Sequence, residues 1–170
     1  MAITGIIYDN QVPTAKGLRG AFKSALSDGI VAGCDISTSG NTVTIGRGLI
    51  NVAGGVFQIS GTETINVSET TGFARIKAVA DMTRTATEEA FNQVYFTVDY
   101  ATLANGFSAL TQDDINAGEG TIYEAEICVV EIANSVITRI VRTAIAAAKL
   151  AYGDTLPADA PEGTIFLLKV

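Results

Sequence analysis

A chain of 170 residues, 48% hydrophobic and 17% charged, with a mean hydropathy of +0.33, has the apolar content for one compact core and is not a disordered sequence. Eleven Lys and Arg against 18 Asp and Glu give a net charge of −7, which repels a phosphate backbone and argues against nucleic acid as a partner. The absence of histidine excludes Ser-His triads, HExxH zinc sites and His-ligated haem.

The opening residues MAITGIIYDN lack the basic and apolar regions of a signal peptide, and no apolar run approaches the ~18 residues of a membrane span, so neither leader nor membrane partner is expected. Residues 1–13 carry Ile3, Ile6, Ile7 and Tyr8 ahead of a turn-rich DNQVP, an apolar arm that needs a surface to lie against. From Thr14 the pattern turns helical. Ala15, Leu18, Phe22, Ala25 and Leu26 form a stripe, Thr14 can cap, and Gly29 suits a terminal cap, which predicts a helix over 15–28. Gly17 and Gly20 each cost ~1 kcal/mol there relative to alanine. They suggest either close approach by another element or subunit, or simply a weak helix.

Beyond Gly29 the apolar period becomes two, and the body reads as β structure. Segments 31–38 and 42–47 form a hairpin across Ser39-Gly40-Asn41, with Val43 and Ile45 on one face. Leu49–Val52 and Val56–Ile59 reverse through Ala53-Gly54-Gly55, and Thr62–Val67 is a further strand. Ala74, Ile76, Ala78, Ala80 and Met82 alternate with Arg75 and Lys77, predicting a strand whose charged face is wet. The polar interval Thr83–Asn92 reads as a loop before a strand at Val94–Asp99, and Leu110–Asn116 as one helical turn ending before Gly118. Ile122–Ile132 and Val136–Ala144 are long strands joined at Ala133-Asn134-Ser135, with Glu124, Glu126 and Glu131 opposite Arg139 and Arg142 for cross-strand pairing. After a turn-rich stretch, Thr164–Val170 forms a terminal apolar strand that wants a neighbouring sheet in this chain or in an adjacent one.

Few residues suggest chemistry. Asp113, Asp114, Asn116 and Gly118 resemble part of a calcium loop but lack its closing glutamate, so turn capping is the better reading and no metal or cofactor is expected. Glu88-Glu89 and Asp113-Asp114 are adjacent pairs, which on a strand point to opposite faces instead of across a substrate. Gly46-Arg47-Gly48 lacks the third glycine and the βαβ unit of a nucleotide fingerprint. Cys34 and Cys128 read as small buried apolar residues in a reducing compartment, the alternative being a disulfide that nothing in their spacing supports. Tyr100, Phe107 and Tyr152 are the aromatics open to a glycan. No catalytic residue emerges.

The ordered runs SDGIVAGC (27–34), SGNTVTIGRGLINVAGGVFQI (39–59), LTQDDIN (110–116), TIYE (121–124) and ITRI (137–140) resemble the β-rich structural modules of tailed-phage and prophage virions, of baseplate, tail-appendage or head-fibre type. The terminal Tyr152–Pro157 and Pro161–Phe166 are similar to a short motif at the end of phage fibre proteins. That resemblance implies a jelly-roll-like antiparallel β-sandwich over residues 14–147, flanked by a docking arm at 1–13 and a linker with terminal strand at 148–170. It also implies a non-enzymatic homo-oligomer, a trimer, located in the virion after assembly in the bacterial cytoplasm and contacting other virion proteins. The expected interaction residues are Ile3, Ile6, Ile7, Tyr8, Gly17, Gly20, Tyr152, Leu156, Pro157, Ile165, Phe166 and Leu168. The competing expectation is a module that binds a host glycan or receptor.

Overall fold

A computed structural model describes residues 14–86 and 91–148, together with the backbone of 150–153 and 165–168. Ile3, Ile6, Ile7, Tyr8, Leu156 and Pro157, expected at interaction surfaces, lie outside these residues. The chain is mainly β, with antiparallel sheets, one helix near the N-terminus and a sandwich-like arrangement.

Helix α1 spans Ala15–Ala25, with the Thr14 hydroxyl accepting from the Gly17 N–H at its start. It is shorter than the expected 15–28. Leu26 bridges to Ala148, and the Ser27 N–H donates to the Ala147 carbonyl, so a non-local pairing takes the chain out of the helix before Gly29. Strands β1 (Gly29–Gly33), β2 (Ile36–Ser39), β3 (Thr42–Ile45), β4 (Gly48–Val52), β5 (Gly55–Ile59) and β6 (Glu63–Asn66) follow. They make two three-stranded sheets, ordered β1-β4-β5 and β2-β3-β6. The expected segment 31–38 is thus divided at Cys34-Asp35, where Cys34 has φ 55, and its halves join different sheets. Val43 and Ile45 are fully buried, as their alternation requires.

β7 (Gly72–Asp81), β8 (Val94–Ala101), β9 (Gln112–Asp114), β10 (Glu119–Ala133) and β11 (Val136–Thr143) form a five-stranded sheet ordered β11-β10-β7-β8, with β9 beside β10. Ala74, Ile76, Ala78 and Ala80 of β7 meet Ile127 and Val130 of β10, Val43 and Ile45 of β3, and Ile50 and Val52 of β4 in one continuous core. Burial of these residues is the main driving force for the fold. Cys34 and Cys128 are both buried with free thiols, not paired.

Residues 110–116 are not a helical turn. The Asp113 carboxylate accepts the N–H groups of Thr121 and Ile122, while Asp114 accepts those of Asn116 and Ala117. Each acid satisfies backbone donors across a β connection, an alternative Asp readily offers to helix. Short strands β12 (Leu150–Gly153) and β13 (Ile165–Leu168) pair in parallel with each other. The backbone of Tyr152, Ile165, Phe166 and Leu168 therefore lies in this two-stranded unit.

Candidate interaction surface

α1 is amphipathic, yet none of its residues is buried. Its stripe of Ala15, Leu18 and Phe22 forms one wall of an apolar cavity of about 340 Å³. The other walls are Val56 and Phe57 of β5, Met82, and Val94 of β8. The turn between β4 and β5 seats the helix: Ala53 and Gly54 have φ of 51° and 81°, and a Cβ at Gly54 would collide with the Arg19 carbonyl. That close approach fixes how far α1 stands from β5, and so the width of the cavity.

A second hollow of about 380 Å³ shares Phe57, Phe91 and Val94 with the first and continues along Gln58, Glu63, Ile65 and Phe96. Together they make a trough bordered by β5 and β8, each the last strand of its sheet. Three large apolar side chains stand open in it: Phe22 is 47% exposed, Val56 45% and Phe91 59%. Apolar side chains clustered beside two sheet edges mark a surface for contact. The apolar cavity contains no carboxylate, and Glu63 is the one acid lining the second hollow.

Sequence reasoning missed this trough. Phe22 had the periodicity of a core residue, and Phe91 sat within a polar run. Of the residues singled out, Gly17 and Gly20 lie on α1. A Cβ at Gly20 would meet nothing within 4 Å, so no described element approaches it.

On the opposite face of β7, Arg75 and Lys77 are buried, contrary to the expectation of a wet face. Arg75 Nη2 donates to Asp99 Oδ2 at 2.6 Å and to the Ser108 carbonyl at 2.8 Å, and its guanidinium lies 4.9 Å from the Phe107 ring centroid. Lys77 Nζ binds Glu124 Oε1 at 2.6 Å and Asp99 Oδ2 at 3.0 Å. A lysine's charged form is disfavoured by burial, yet hydrogen bonds and charge from Glu124 and Asp99 outweigh that and raise its pKa. Burial likewise opposes ionisation of Asp99, and Arg75 and Lys77 overcome it to hold its pKa low. Arg142 pairs with Glu126 and donates to the Ala104 carbonyl, while Arg139 pairs with Glu131. Two of the expected cross-strand pairs thus form, and Glu124 turns to Lys77 instead. Arg75 and Arg142 tie the loop at 102–111 over the sheet, which is what covers the charges.

Tyr100 and Phe107 do not make an open aromatic platform. The Tyr100 hydroxyl accepts the Ser68 N–H at 2.8 Å, and Phe107 is half-buried under Arg75. Asp113 and Asp114 have their pKa values lowered chiefly by backbone N–H groups, those of Ile122 and Ala117 first. Among the described residues no group of three potential metal ligands comes together, and no helix is long and apolar enough to cross a membrane. No family model and no curated protein matches this chain.

Proposed function

We propose that this chain is a non-enzymatic structural part of a tailed-phage or prophage particle, a baseplate, tail or head-fibre component that assembles with copies of itself and with other virion proteins. The observation that carries the assembly role is α1: an amphipathic helix without a single buried residue, lying over a trough that leaves Phe22, Val56 and Phe91 open. A surface of that kind is completed by another polypeptide. The phage setting rests on the resemblance of the ordered runs from 27 to 140 to virion modules. Reduced, buried cysteines suit assembly in a bacterial cytoplasm.

The function is mechanical, and its energy comes from apolar surface removed from water at subunit contacts, on the order of 800 Å² per partner in a specific interface. A glycan- or receptor-binding module is the competing reading. It draws less support because Tyr100 and Phe107 already spend their polar and π contacts on Ser68 and Arg75.

Light scattering on the purified chain tests the proposal. The expected result is a stable multiple of the 17.7 kDa chain mass, three-fold by the family resemblance. A monomer that persists at every soluble concentration overturns it.

A further inference from the structure

Resting on the assembly reading, we infer that the trough between α1, β5 and β8 is the receptor for residues 3–8 of a second copy of this chain. The arm has the matching chemistry. Ile3, Ile6, Ile7 and Tyr8 are apolar side chains for the apolar cavity at the α1 end of the trough, and Asp9 is the one charged side chain between residues 2 and 13. Arg19 is likewise the one charged residue lining the apolar cavity. An extended segment of six residues spans about 20 Å, and it would run between β5 and β8, whose outer edges can pair with an added strand.

The junction with α1 suits an arm that reaches a neighbour. Thr14 is extended, with φ −89 and ψ 148, and Pro13 before it cannot continue a helix and disfavours a helical residue at 12. An extended residue at the start of α1 suits an arm that reaches outward to a neighbouring copy. The eleven residue-to-residue steps from Ile3 to Thr14 reach about 36 Å when extended, far enough to cross to a neighbour. An arm seated in the next copy's trough is a head-to-tail contact, which closes into a ring when the rotation between copies permits, as a trimer requires.

Two full-length variants test this. Val56→Arg places a charge in the trough at an exposed position, and Ile6→Asp with Ile7→Asp spoils the arm. Each alone is expected to fall to the single-chain mass in light scattering while keeping the wild-type circular dichroism spectrum. An equimolar mixture should then form a complex of twice the chain mass, because the intact arm of the first variant meets the intact trough of the second. Wild-type mass retained by both variants overturns the inference while leaving assembly standing, since the copies then hold together elsewhere. A mixture that stays monomeric also overturns it, because the arm then serves its own chain. A monomeric wild type instead removes the assembly reading itself. Should Val56→Arg fail to fold, Phe22→Ser, also at an exposed position, takes its place with the same expected outcomes.

Discussion

Asp99 is shared by two cations that water scarcely reaches: the side chains of Arg75 and Lys77 are 7% and 8% exposed. Removing one member of such a cluster costs more than the contact itself contributes, since the remaining charges stay buried without compensation. Asp99→Ala leaves Lys77 with Glu124 alone and Arg75 with the Ser108 carbonyl. The expected loss is about 3 kcal/mol, the scale measured for broken buried pairs, read from the urea midpoint at unchanged slope. By contrast Arg139, whose side chain is 62% exposed where it pairs with Glu131, belongs to the class of surface pairs that contribute about 0–1 kcal/mol. The difference lies in the loop at 102–111, which covers one pair and not the other. Periodicity along β7 identifies the face on which Arg75 and Lys77 stand but carries no information about what a loop 30 residues later lays over it.

At the level of elements, what could be read from sequence was local. Hairpin β2–β3 turns at Gly40 and β4–β5 at Ala53-Gly54, with a glycine at a positive φ in each turn, and the alternation of Val43 and Ile45 fixes the inner face. What could not be read was set by partners distant in the chain. The end of α1 is decided by Ala147 and Ala148, the conformation at 110–116 by Thr121 and Ile122, and the split of 31–38 by the pairing of β1 with β4. The trough was illegible for the same reason: Leu18 and Phe22 have the spacing of a core stripe whether the covering surface belongs to this chain or to another. The β10–β11 turn gives a local prediction. Asn134 and Ser135 both hold positive φ, 53° and 61°, the form preferred between two antiparallel strands joined by two residues. A serine pays about 1–2 kcal/mol for that backbone, whereas glycine's extra unfolded-state freedom costs about 0.5–1 kcal/mol. Ser135→Gly should therefore stabilise by roughly 0.5 kcal/mol, and its N–H can still donate to the Thr70 carbonyl. A lower thermal midpoint in the variant would refute the argument.

At the scale of the whole molecule the absence of histidine and the direction of the shifted groups among the described residues combine into one pH profile. Asp81, held low first by the Thr83 hydroxyl, joins Asp99, Asp113 and Asp114 below the ordinary carboxylate range. On acidification the unfolded chain takes up protons at about pH 4, where these folded carboxylates do not, so stability falls as pH drops through that region. On the alkaline side burial raises both thiols, with Asp35 adding to Cys34 and Glu126 to Cys128, the latter pushed up to about 12. Burial and the Asp28 carboxylate, which accepts its hydroxyl, raise Tyr123 as well. An unfolded thiol releases its proton above about pH 8.5 while the folded one keeps it, so stability declines as pH climbs from there, and further where tyrosine and lysine titrate. Between these limits no shifted side chain among the described residues changes charge. The urea midpoint should consequently be flat from about pH 5.5 to 7.5 and fall on both sides. A slope inside that window would mean that a carboxylate or thiol titrates far from the position its partners impose. Because the cavity under α1 is lined by apolar side chains apart from Arg19 and Gln93, an arm seated there should leave the oligomer mass equally constant across the plateau, and its loss on either side should follow unfolding and not precede it.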